Sequence, residues 1–114
     1  MGQKVTKNQI ETQEAWTSVT YQNSWVTFGA TYGGMRYMKD SLGFVHLEGL
    51  MKSGTMGQVA FTLPTGYRPG FQQYLLCASN GGSGIIDLAT NGTVTPQIGS
   101  NASFGINVVF KAEN

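Results

Sequence analysis

The chain has 114 residues, seven Lys and Arg against six Asp and Glu, and a net charge of +1, a length that fits one domain with one core. Its cations are scattered rather than clustered, which argues against nucleic acid and anionic membranes as partners, and its longest apolar runs, such as residues 74–78, are too short to span a bilayer. Hydrophobic residues make up 40% and charged residues only 11%, against about 25% charged in an average soluble domain, so Ser, Thr, Asn, Gln, Gly and contact with further subunits are expected to cover much of the surface.

Residues 4–14 concentrate polar and charged side chains, with a weakly helical spacing too short to be stable alone. We read residues 1–15 as a connector or shaft stub, Met1-Gly2 as an expression scar and the chain as a fragment of a longer one. No basic segment followed by an apolar stretch opens the chain, so no signal peptide is expected. From Trp16 onward the pattern is that of strands, and residues 16–114 form the predicted domain.

Residues 25–28 are β-rich and stop at Gly29, with Trp25 expected in the core. Residues 35–39 lead through Asp40-Ser41-Leu42-Gly43 into residues 44–52, the pattern of a hairpin with a Gly-containing loop. In its second arm Val45, Leu47 and Met51 share one face. Val59, Phe61 and Leu63 are predicted to point inward against Gln58, Ala60 and Thr62, and Pro64-Thr65-Gly66 ends that strand. A strand over residues 74–78 precedes a predicted loop over residues 80–84. Strands over residues 85–89 and 93–98 flank Asn91-Gly92, whose residue types predict a type I′ hairpin turn. Pro96 predicts an edge or a bulge in that second strand. Phe104, Ile106, Val108 and Phe110 alternate cleanly in the closing strand. Seven or eight short strands at regular spacing predict an all-β sandwich or barrel.

Groups for catalysis are sparse. His46, the single histidine, would nominally complete a triad with Asp40 or Asp87 and a serine, yet no nucleophile-elbow pattern surrounds any serine. The carboxylates Glu11, Glu14, Asp40, Glu48, Asp87 and Glu113 form no local pair of the kind a glycosidase needs. One His, one Cys and no aspartate-rich loop predict no metal site, and neither Gly-rich segment opens a helix that would bind a phosphate or nucleotide cofactor. Cys77, alone and within an apolar run, is expected to be a buried, inert thiol. The sequons at Asn91 and Asn101 are put down to an Asn-, Ser- and Thr-rich composition. The chain is therefore expected to be non-enzymatic, without cofactors.

The aromatic residues offer faces for saccharide stacking and polar tips for hydroxyl groups. Tyr32, in a loop bounded by Gly29 and Gly34, is the best candidate for exposure. Arg36 and Tyr37 follow it and are expected to line the same ligand site.

The order of landmarks is informative. It runs from Trp16 through Asn23-Ser24-Trp25-Val26 to Arg36-Tyr37-Met38-Lys39-Asp40, Gly43 and Val45-His46-Leu47-Glu48-Gly49. Gly54 and Gly57 follow, then Phe61-Thr62-Leu63-Pro64-Thr65-Gly66-Tyr67-Arg68-Pro69, Asn91-Gly92-Thr93-Val94 and a closing strand ending at Phe110. This series, spread over residues 16–112, resembles the C-terminal head domains of bacteriophage and prophage tail fibres of Gram-positive bacteria. The resemblance implies a β-sandwich of jelly-roll type, assembled as a homotrimer on a fibrous shaft within the virion. It also implies recognition of host cell-surface carbohydrate or teichoic acid, and supplies no catalytic residues. A rival expectation is a trimerisation cap or folding chaperone for the fibre, and a third is a glycan depolymerase, which lacks a carboxylate pair.

Overall fold

The computed structural model describes residues 14–114, so the connector expected over residues 1–15 lies outside the described residues except for Glu14 and Ala15. The described residues form nine strands and one short 3-10 turn, with no α-helix. The strands are β1 (Thr17–Ser18), β2 (Val26–Thr27), β3 (Arg36–Lys39), β4 (Phe44–Lys52), β5 (Phe61–Thr62), β6 (Gln73–Ser79), β7 (Gly82–Leu88), β8 (Thr93–Ile98) and β9 (Phe104–Lys111). Nine strands exceed the expected seven or eight because β1 is only two residues long, too short to leave a periodic signal, while β2 and β5 fall within the expected segments but are likewise only two residues long.

All pairings are antiparallel, in the order β1-β3-β4-β9-β6-β7-β8-β5, with β2 also on β4. The sheet has two wings. One is built on the long β4–β9 pairing, from Phe44↔Lys111 to Met51↔Phe104, and the other on β6–β7, from Gln73↔Leu88 to Ser79↔Gly82. They join through two residue pairs only, Ala78↔Gly105 and Ser79↔Phe104. So narrow a junction lets the sheet curl until the inward side chains of both wings meet.

The resulting core is one cluster. The first wing contributes Val45, Leu47, Met51, Phe104, Ile106 and Phe110, and the second Cys77, Ile86, Leu88, Val94 and Phe61. Trp25 is buried as expected and packs edge-on to Phe104, their centroids 6.2 Å apart. Burying each of these large side chains contributes about 1.5–3 kcal/mol, which is the main source of stability in a domain without a disulfide. Ser79 is the one buried polar residue among those described. It is satisfied on both sides, its hydroxyl donating to Ser100 O or Ser103 O and accepting from Ser100 N.

Three local expectations are corrected. Simple alternation places Ala60 outward, yet it is fully buried. Only Phe61–Thr62 is strand here, and irregular chain before it breaks the period of two. Residues 82–84, expected as loop, belong to β7. Glycine is needed at position 84 because a Cβ would approach Ile98 O to 2.7 Å and the Phe104 ring to 2.9 Å.

The third correction exchanges two turns. Asn80-Gly81 forms the two-residue β6–β7 connection, with φ of 48° and 80°, as a type I′ turn requires. At Asn91-Gly92 only the glycine has positive φ. There the connection is longer, closed by Ala89 N donating to Thr93 O, and Asn91 Oδ1 is occupied by Thr93 N and Oγ1. The expected irregularity near Pro96 is a register shift of β7 against β8 between Ile85 and Ile86.

Candidate functional site

The site begins with the β3–β4 hairpin. Asp40 Oδ1 accepts from Leu42 N and Phe44 N, both at 3.0 Å, while Gly43 N donates to Asp40 O. These bonds fix the turn and with it the register, which sets Arg36 opposite Glu48. Arg36 then reaches Glu48 Oε2 twice, from Nη2 at 2.8 Å and Nε at 3.2 Å. Its guanidinium also stacks over Trp16, 4.1 Å from the ring centroid.

On the face away from the core, across the junction of the two wings, lies an open groove of about 1010 Å³. Its floor is made of small residues. Gly105 lies between Leu50 and Ala78 in register, and a Cβ there would come to 3.2 Å from Leu50 Cδ1. One wall carries Arg36, Glu48 and Asn107, the last two being cross-strand partners. The other side carries Leu76 and Ser83.

Tyr32 also lines the groove. The 3-10 turn Ala30–Tyr32 carries it, and it is 63% exposed, its ring edge-to-face with Phe28 at 5.5 Å. Gly49 lets the chain pack closely behind this turn. Its φ is 149°, and a Cβ would lie 2.5 Å from Met35 Cα, so β4 presses directly on the backbone that leads out of the Tyr32 turn.

Of the three residues expected at one site, the structure brings Tyr32 and Arg36 to this groove. Tyr37 is elsewhere. Successive strand residues face opposite ways, so Tyr37 turns to the other side of β3 and packs edge-to-face on Tyr67 at 5.2 Å. Burial, and then the Glu14 charge, raise its phenol pKa. Tyr67 itself donates to the Glu14 carboxylate, its hydroxyl 2.7 and 2.8 Å from the two oxygens, and this bond is the first cause of a pKa pushed up to about 12.

Sequence reasoning does not single out Glu48 and Asn107 as ligand residues. Glu48 is found by counting back from the hairpin loop to the residue opposite Arg36. Asn107 depends on β4–β9 pairing between distant segments, for which the sequence has no local signal.

Outside the groove, His46 Nε2 lies 3.0 Å from Asp40 Oδ2. The His46 hydrogen bond, followed by the Phe44 amide, holds the Asp40 carboxyl below its ordinary value. Two members of the nominal triad thus meet, but among the described residues no hydroxyl is hydrogen-bonded to His46. Cys77 is buried and desolvation pushes its thiol up to about 11, the environment of an inert side chain. Among the described residues no three His, Cys, Asp or Glu side chains converge as metal ligands, and no helix is long and apolar enough to cross a membrane. Comparison of the chain with protein-family models, curated proteins and solved structures finds no match.

Proposed function

We propose that this domain is the head of a bacteriophage tail fibre and attaches the virion to its host by binding a cell-surface glycan, carbohydrate or teichoic acid, without catalysis. The observation that supports this most directly is the groove beside Tyr32. It joins an exposed aromatic ring to a wall of hydrogen-bonding side chains over a floor of small residues. A sugar presents an apolar C–H face and a rim of hydroxyls, and this pairing of surfaces matches both. Among the described residues Glu48 is the only carboxylate lining the groove, whereas hydrolysis of a glycosidic bond ordinarily uses two.

In this reading the curled sheet is a β-sandwich of jelly-roll type, and three copies assemble on an upstream shaft. Several identical weak sites would then supply avidity. The expected test result is strain-specific retention of the domain on host cells, lost on Tyr32→Ala while the circular dichroism spectrum is unchanged. Retention that survives both this change and Arg36→Ala removes the groove as the attachment site.

A second reading, a trimerisation cap for the fibre, draws on an apolar row that adjoins the groove and shares Leu76 with it. On the outward face, Leu76 lies opposite Ile85, and Ile85 opposite Ile98. Leu76, Ile98 and the neighbouring Tyr74 are each more than half exposed. Such a row is costly to leave in water and suits contact with a sister copy. Deleting the domain from a complete fibre separates the readings. A trimeric shaft that no longer attaches favours adhesion, and an unassembled shaft favours the cap.

A further inference from the structure

Resting on the adhesive reading of the groove, we infer that it selects an uncharged saccharide through a vicinal pair of hydroxyls and discriminates against phosphate- or uronate-bearing polymers. The argument is one of charge and of unused hydrogen-bonding positions. Among the groove's described lining residues there is one cation, Arg36, and one carboxylate, Glu48, and they neutralise each other at 2.8 Å. A phosphodiester approaching Arg36 would have to displace Glu48 or lie beside its negative charge. Either outcome cancels the attraction that a free guanidinium would offer. The chain's net charge of +1 adds no compensating field.

The same pair suits a neutral diol. Both Arg36 bonds end on Glu48 Oε2, and among the described residues Oε1 has no partner. One hydroxyl can donate to Oε1 while its neighbour accepts from a guanidinium N–H, of which Arg has five. The amide of Asn107, the register partner of Glu48, adds a donor and an acceptor on the adjoining strand. Tyr32 and Leu76 then face the apolar side of the ring. The ion pair is exposed, at 45% and 38% for its two side chains, and a surface pair of this kind adds little to stability. Its placement is better explained by what it presents to the groove.

The test uses the full chain on an array of neutral oligosaccharides, uronate-bearing oligosaccharides and poly(glycerol phosphate). The expected result is that the tightest ligand is neutral, with an affinity that changes less than about twofold between low and high salt, since no net charge is being screened. Glu48→Gln, which keeps the shape and frees Arg36, is expected to weaken that ligand about tenfold, the loss of a charge-assisted hydrogen bond, and to create salt-sensitive binding of poly(glycerol phosphate). A thermal melt close to that of the parent chain shows that the variant is folded. Tighter binding of poly(glycerol phosphate) or of a uronate polymer by the parent chain overturns this inference alone. Binding to no arrayed polymer overturns it together with the adhesive reading beneath it.

Discussion

Two titrating side chains, the Asp40 carboxyl and the Tyr67 phenol, shape how the domain should respond to pH. Asp40 braces the β3–β4 turn and is held below its ordinary value of 3.8, first by the His46 hydrogen bond. A depressed carboxyl contributes stability that is present above the unfolded value and is lost as pH falls through the folded one. Acid unfolding should therefore begin below about pH 4, and Asp40→Asn should flatten that part of the stability profile. A parent-like acid limb in the variant, measured by urea titration at each pH, counts against this assignment. At the other extreme, Tyr67 is raised from 10.0 to about 12, chiefly by its bond to Glu14. A raised phenol contributes stability that is complete below its unfolded value of 10.0 and disappears as pH rises through about 12. Glu14→Gln should bring the phenol back towards 10.0, seen as earlier tyrosinate absorbance in the near ultraviolet.

Among the elements, β4 has the most demanding position. It pairs with β9 along one edge and with β3 and β2 along the other, and it supplies Glu48, Gly49 and Leu50 to the groove. Gly49 meets backbone rather than a flexible side chain, and a Cβ added there would lie 2.8 Å from both Gly34 O and Met35 N. Rotamer changes cannot relieve such a contact. Gly49→Ala should cost about 1–3 kcal/mol, as overpacking does, and should displace the Tyr32 turn as well. The expected signature is a lower melting temperature together with weakened cell binding, whereas an unchanged melt would mean that β4 and the Met35 backbone can separate freely.

At the scale of the whole molecule, the leftover apolar surface bears on assembly. Ile98 is 57% exposed and lies outside the groove lining, so it can be changed without touching the proposed ligand site. In the trimer reading, Ile98→Glu places a charge in an interface that would have to desolvate it. The native mass should fall from that of a trimer to that of a monomer while the circular dichroism spectrum stays the same. A parent protein that sedimented as a clean monomer would remove the trimer and leave the groove chemistry standing.

Much of this architecture is legible along the chain because it is local. Period-two alternation marks β4 and β9 with their full bounds, and the Asp40-Ser41-Leu42-Gly43 loop implies the hairpin that joins Arg36 to Glu48. Trp25 and Cys77 are expected to be buried, and both are. Where two Asn-Gly pairs compete for one type of turn, residue identity is not enough: the β7 pairing that places Gly82 opposite Ser79 leaves room for only two residues at Asn80-Gly81. Tyr37 leaves the expected site because adjacency in sequence is not adjacency on a pleated surface. The sequence alone determined an all-β chain with its longer strands and most of its inward faces, since each depends on neighbouring residues. The tertiary structure decided how the two wings join, and therefore which side chains share the groove, because Asn107, Leu76 and Glu48 meet only through pairings between segments far apart in the chain.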